Sequence, residues 1–391
     1  MRTYCFLSLL VYGWVLSWAN SNSHPEANLR NDLLPKDHHP LNRPVQNLTT
    51  VTVVNYDASL YQLVGFNSKD ESIELLTFQR LTWRDEFLIW DPANYSGLEK
   101  IRFSQLQIWT PDVLPYNEIG DLDYDRFVLT VPILVNSSGH VIWSQPVNME
   151  TTCSMDVTNF PFDSQTCEIE FGSWQYDSTE VMMSCVNELD LNDYIPDTLW
   201  ELQETSCRER TSPTNQGRNF SDAVVTVTFK RLQTYFVINL VVPTVLLLGI
   251  SSLTFFIPGE IGEKLSFGVT VTLSLCVNLT IFTDFIPMTS TTFPKLFSYI
   301  LSSIVLSCIS MVLAAVSVNF VKINKNSNDE NKTKAFEAPF TNMALNELAN
   351  RASSNKIEEK MTLRKIDTII GFIYLVGVTA YSVLFFISMS V

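Results

Sequence analysis

The chain has 391 residues, of which 46% are hydrophobic and 17% charged, with a formal net charge of −15. That length exceeds one ordinary domain and suits two or three modules. The acidity excludes a nucleic-acid binder, which needs a basic surface, and favours accumulation of cations near the protein.

The N-terminus reads as an address rather than as structure. Arg2 is followed by an apolar run from Tyr4 to Trp18 and then by Ala19, Asn20 and Ser21. Residues 1–20 are therefore expected to be a secretory signal peptide, the alternative being an N-terminal anchor, for which the run is short. Export places the following cysteines in an oxidising compartment. Four sequons, at Asn47, Asn94, Asn136 and Asn219, are candidate glycosylation sites.

Residues 21–232 read as an extracellular module. A short helical pattern covers 29–34. After it, runs such as 51–56 and 224–229 alternate apolar and polar residues and are rich in β-branched side chains. Turn signals at Asp91-Pro92, at 136–139 and at Asn159 to Pro161 separate them. The pattern predicts an antiparallel, immunoglobulin-like β-sandwich of about ten strands.

Four hydrophobic segments follow, at 235–256, 265–286, 297–321 and 366–389. Each is long enough to cross a bilayer as a helix, the conformation that satisfies its own backbone. Residues 233–321 thus hold three transmembrane helices, 322–365 form a short loop, and 366–391 hold a fourth helix. The loop carries Lys322, Lys325, Lys360, Arg364 and Lys365, which assigns it to the cytoplasm and both termini to the outside of the plasma membrane. Within it, 324–334 is expected to be disordered, and 336–364 to continue helically into the last span.

The second segment is polar for a lipid-facing helix. At spacings of three and four, Glu263, Ser266, Thr270, Leu273, Val277, Thr280 or Ile281, and Asp284 share one face. Copies arranged around an axis would make Glu260, Glu263 and Asp284 rings of negative charge. Ser266 and Thr270 would be polar lining, and Leu273, Val277 and Ile281 hydrophobic gates. The alternative is a bundle helix whose hydroxyls bond neighbouring helices.

The stretch 153–167, bounded by Cys153 and Cys167 with Phe160-Pro161-Phe162-Asp163 at its centre, resembles the signature loop of the Cys-loop receptors. Trp83, Trp90, Trp109-Thr110-Pro111-Asp112 and Phe171-Gly172-Ser173-Trp174 resemble the nicotinic extracellular domain. Gly262-Glu263-Lys264 resembles the pore entry of the cation-selective branch. The resemblance implies a ligand-gated cation channel of five subunits, so that this chain has four further subunits, the same or different, as partners. It selects a Cys153–Cys167 disulfide, leaving Cys185–Cys207 as a second bridge.

It also implies a ligand site between subunits that takes a small molecule such as a cationic amine. Tyr116, Trp174 and Phe220 would form its principal face, and Phe78, Leu134, Ile142 and Ser144 the complementary face. The loop from Cys207 to Phe220 departs from the family pattern, with no adjacent cysteine pair and no tyrosine, which counts against acetylcholine as the agonist. Phe160, Pro161, Phe162 and Arg231 would couple the site to the pore, with Asp163, Asp70 or Glu71 as acids for Arg231. The remaining partners are permeant cations and membrane lipid. Other readings are an obligate accessory subunit or a membrane structural or adhesion protein. An enzyme is not expected, nor a cofactor or metal, because His24, His38, His39 and His140 make no ligand spacing with cysteine.

Overall fold

The computed structural model describes residues 24–34, 39–119, 131–214, 217–258, 263–286, 293–336 and 342–390. The signal-peptide expectation for 1–20 and the charge-ring position Glu260 lie outside the described residues. The chain divides into two compact units, one of Met1–Ser154 with Gln165–Phe229, the other of Met155–Ser164 with Lys230–Val391.

The first unit opens with helix α1 (Pro25–Leu33). It starts earlier than the expected 29–34, because Pro25 and Glu26 suit a first helical turn, where no backbone donor is needed and an acid meets the helix dipole. Ten strands follow among the described residues: β1 (Thr52–Asn67), β2 (Ser72–Ile89), β3 (Lys100–Phe103), β4 (Val113–Pro115), β5 (Ile133–Asn136), β6 (Ser138–Thr152), β7 (Ser164–Ser173), β8 (Val181–Cys185), β9 (Trp200–Pro213) and β10 (Asn219–Arg231). They form a six-stranded sheet ordered β3-β5-β6-β2-β1-β8 and a four-stranded sheet ordered β4-β7-β10-β9, the two layers of a β-sandwich.

One pairing corrects the purely antiparallel expectation. β1 and β8 run parallel, with Thr52 opposite Val181 and Tyr56 opposite Cys185. Alternation within a strand shows which residues turn inward, but it does not reveal the partner, and parallel neighbours are joined by long connections. The inward residues fill one core. Val54, Tyr56, Ala58 and Leu60 of β1 are buried with Trp83, Trp109, Phe171 and Phe229. Trp83 meets Trp109 edge to face at 5.8 Å between ring centroids, and Tyr56 stacks on Phe171 at 4.7 Å, arrangements that add to the stabilisation from area burial alone.

In the second unit, among the described residues, four helices are long and apolar enough to cross a membrane, over Thr234–Phe255, Glu263–Thr283, Lys295–Phe320 and Arg364–Met389. We label the helices α2 (Thr234–Phe255), α3 (Glu263–Thr283), α4 (Lys295–Phe336) and α5 (Asn342–Ser390). Residues 237–241 of α2 form a wider π turn just before Pro243, which has no N–H to give to a regular helix. α4 runs on to Phe336, so 324–334 is helical where disorder was expected. Low hydrophobicity there does not oppose a helix already nucleated by the preceding span, since propagation is easier than initiation.

The helices are tied by polar contacts. Asn278 of α3 donates to Thr244 Oγ1 of α2 at 2.6 Å, and Tyr299 of α4 shares a hydrogen bond with Ser382 of α5 at 2.8 Å. The Lys264 ammonium, wholly buried, donates to Asp367 Oδ2 at 2.9 Å, and Ser317 donates to the same oxygen at 2.8 Å. That cluster joins the start of α3 to α4 and α5.

Candidate ligand face and ion path

The four-stranded sheet carries the expected principal-face residues at its strand ends. Tyr116 follows β4, where its N–H donates to Glu170 O and its hydroxyl to Ser173 O at 2.7 Å. Gly172 makes this placement possible: a Cβ there would lie 2.2 Å from the Tyr116 hydroxyl. Trp174 follows β7 and is held by Asp112, whose carboxylate accepts from Ser173 Oγ at 2.5 Å and from Gln175 N at 2.7 Å. The Tyr116 and Trp174 rings lie 6.2 Å apart, and Trp174 is 62% exposed although large aromatics are usually buried.

Phe220, on β10, is faced by a cation of its own chain. The Arg218 guanidinium sits 5.1 Å from the Phe220 ring centroid. Arg218 also donates to Asp177 Oδ2 at 3.2 Å and to Gln175 O at 2.8 Å. A turn in which Gly217 takes φ +77° leads into it. Below, Arg210 of β9 forks onto both oxygens of Glu170 and reaches Asp222 Oδ2 at 3.2 Å.

These contacts set the local acid–base behaviour. The hydrogen bonds from Arg210 hold the Glu170 carboxyl below its usual range. Thr179, and then Arg218, do the same for Asp177. Burial, reinforced by Asp222, pushes the Tyr116 phenol well above its usual value. The face therefore carries fixed, compensated charges under an exposed indole. Arg210, Arg218 and Asp177 were given no role from sequence. Three arginines, Arg208, Arg210 and Arg218, in a loop where the family pattern has cysteines and tyrosines were the available signal, but their acid partners depend on how β7, β9 and β10 and their connections are placed.

The expected complementary residues lie on the other sheet. Phe78 on β2 is 42% exposed, with Tyr61 edge to face at 5.3 Å. Leu134 of β5 pairs with Ile142 of β6, and Ser144 pairs with Arg80 of β2. The structure thus gathers each set on the outside of its own sheet and does not join the two sets within one chain, because the sandwich core lies between the sheets.

Cys153 is bonded to Cys167 and Cys185 to Cys207, while Cys276 and Cys308 are free. Of the sequon asparagines, Asn47, Asn94 and Asn219 are exposed and Asn136 is half-buried.

In the second unit the loop 155–164 places its aromatic centre among the helices. The Phe160 ring lies 5.1 Å from Phe236 of α2 and 5.6 Å from Phe282 of α3. Arg231 forks onto Asp163, and its guanidinium lies 4.9 Å from the Phe160 centroid and 5.3 Å from that of Phe236. Of the three candidate acids for Arg231, Asp163 makes this contact. Pro161 is buried and follows a cis peptide bond, whereas Phe162 is exposed.

On α3 the polar stripe is the face that the chain leaves uncovered. Glu263, Ser266, Thr270, Leu273, Val277, Thr280, Ile281 and Asp284 are exposed, and Lys264, Gly268, Val271, Leu275, Asn278 and Phe282 are buried. Thr270 donates to Ser266 O of its own helix at 2.9 Å. Thr272, off the stripe, reaches Ser307 of α4 at 2.8 Å. Hydroxyls used for packing and hydroxyls left facing outward are therefore separated by position.

Comparison with known proteins agrees with both units. A model of the neurotransmitter-gated ion-channel ligand binding domain matches residues 26–233, and one of the neurotransmitter-gated ion-channel transmembrane region matches 240–370. Acetylcholine receptor subunit beta-like 1 of Drosophila melanogaster is 31% identical over 77% of this chain and 58% of its own length. Neuronal acetylcholine receptor subunit alpha-6 of Rattus norvegicus is 30% identical over 71% and 56%. Acetylcholine receptor subunit alpha-1-A of Xenopus laevis is 31% identical over 76% and 65%. The chain thus spans less than two thirds of the length of these relatives.

Proposed function

Because this chain belongs to the neurotransmitter-gated ion-channel family, we propose that it is a subunit of a pentameric, cation-selective channel opened by an extracellular small molecule. The single observation that carries the reading is the uncovered stripe of α3, polar at its cytoplasmic end, with apolar side chains at Leu273, Val277 and Ile281, and bounded by Glu263 and Asp284. An uncovered hydroxyl-bearing face is costly against lipid and favourable against water. Carboxylates at both ends attract cations, and the apolar band blocks them when it is narrow enough to dewet.

The ligand would meet Tyr116 and Trp174 of one subunit and Phe78, Leu134, Ile142 and Ser144 of the next. This arrangement is supported by the separation of the two sets on opposite sheets of each chain. Movement of β7 and β10 would reach the pore through the loop closed by Cys153–Cys167, whose Phe160 contacts α2 and α3. Exposed Asn47, Asn94 and Asn219, with Asn136, are proposed to carry glycans, and both termini to lie outside the cell. The loop carrying Arg210 and Arg218 supports a second reading, an accessory subunit that needs a partner's principal face.

Whole-cell recording from cells expressing the full chain, alone and with a nicotinic-type partner, tests the proposal across a panel of amines. Currents that reverse with the sodium gradient are expected. Reversal at the chloride potential, or surface delivery without current in either combination, overturns it.

A further inference from the structure

The Phe220 ring is where an external cation would be expected to bind, yet an internal one already occupies it. We propose that Arg218 is a built-in competitor of the principal face, a specificity-determining residue that excludes small quaternary ammonium ions from the Phe220 ring. The inference rests on reading Tyr116, Trp174 and Phe220 as one ligand face.

Three contacts support it. The guanidinium lies 5.1 Å from the Phe220 centroid, within the range at which a ring face attracts a cation. Its Nε donates to Asp177 at 3.2 Å, so the carboxylate nearest this arginine is neutralised as well. Its Nη2 donates at 2.8 Å to the carbonyl of Gln175, the residue after Trp174. Arg218 therefore takes up the ring, the anion and the backbone acceptor that a free amine would need. The backbone fixes this seat, since Thr214 N and Oγ1 both donate to Arg218 O at 2.8 Å. Because Arg218 and Asp177 are both partly exposed, a bound cation of high affinity could displace the guanidinium. The exclusion is graded, worth roughly ten-fold in affinity for an exposed ion pair plus a surface cation–π contact. Removing the arginine side chain turns the same elements into a cation site: an uncovered ring, an Asp177 carboxylate held by Thr179 but without its cation, and an exposed indole.

Trp174 provides the readout, being the one exposed tryptophan among the described residues. The purified full-length chain would be titrated with N-methylpyridinium, a cationic quencher, and separately with neutral acrylamide. The signal of Trp174 is obtained by difference against Trp174→Phe. Arg218→Ala is expected to bind the cationic quencher about ten-fold more tightly with acrylamide quenching unchanged. Arg218→Gln, which keeps hydrogen-bonding capacity without the charge, should follow it, and Arg218→Lys should resemble the native chain. Unchanged or weaker cationic quenching in both neutral variants overturns the proposal, as does a parallel rise with acrylamide, which would make Arg218 a mere cover. If quenching rises as expected while Tyr116→Ala and Trp174→Ala leave agonist currents intact, exclusion of cations from the Phe220 ring by Arg218 stands, but the ligand-face reading fails and with it the role as a competitor of an agonist.

Discussion

Arg231 donates two parallel hydrogen bonds to Asp163, Nε to Oδ1 at 2.8 Å and Nη2 to Oδ2 at 2.9 Å, with both side chains almost fully buried. The backbone repeats the link, since Arg231 N donates to Asp163 O at 3.1 Å. The pair lies where β10 leads into α2, and Phe160 and Phe236 close around the guanidinium.

Removing one partner leaves the other charged and buried, which costs about 3–5 kcal/mol. Arg231→Gln and Asp163→Asn are each expected to lower the thermal stability of the solubilised chain and its surface delivery. Arg231→Lys should recover only part, because an ammonium cannot fork onto a carboxylate. Stability curves that superimpose on the native one would show that the pair has no such role.

Lys264, Asp367 and Ser317 predict a coupled response. Lys264→Met strands Asp367 against α3 and should destabilise by a similar ~3–5 kcal/mol. The double variant Lys264→Met with Asp367→Leu should regain most of it, since an apolar pair replaces an ionic one at little net cost. Additive losses in a double-mutant cycle followed by thermal unfolding would contradict the pairing.

Cysteine scanning separates the two faces of α3. With native Cys276 first replaced by Ser, cysteines at Ser266, Thr270 and Val277 should react with a charged thiol reagent during channel opening, and those at Gly268 and Leu275 should not. Equal protection of all five would place the stripe away from water.

Glu263→Gln and Asp284→Asn should each reduce single-channel cation conductance, more strongly at low ionic strength where screening is weak. Leu273→Ser should raise the leak current in the absence of ligand, because a polar residue wets the apolar band. Unchanged conductance and leak in all three would argue against a pore on this face.

Acid should loosen the Arg210 network in a defined direction. The Arg210 hydrogen bonds depress the Glu170 carboxyl, so its stabilising contribution is complete above the unfolded-state value of about 4.3 and is lost as pH falls through the lower folded-state value. Thermal unfolding between about pH 3 and 6 should show a decline at the acid end that Glu170→Gln removes.

Much of the architecture was legible because it follows from local periodicity. Alternation of two marked the inward residues of β1 and β10, and stretches of about 20 apolar residues marked the helices. Spacings of three and four on α3 separated Leu273 and Val277 from Leu275 and Asn278 without coordinates, because the helix repeat alone assigns a face. The helical state of 324–334 was missed because composition measures the capacity to form a core, whereas a helix emerging from a membrane span needs none.

The sequence by itself determined the two-part organisation, the four spans and the identity of the stripe, since each depends on neighbours within a turn or a strand. Only the tertiary structure decided the parallel seating of β8 on β1, the choice of Asp163 for Arg231, and the occupation of Phe220 by Arg218. The first two depend on contacts between segments distant in the chain, where in a strand a shift of one residue would move every side chain to the opposite face. The third joins near neighbours, but Arg218 is held over the ring by Asp177 and Gln175, about forty residues away.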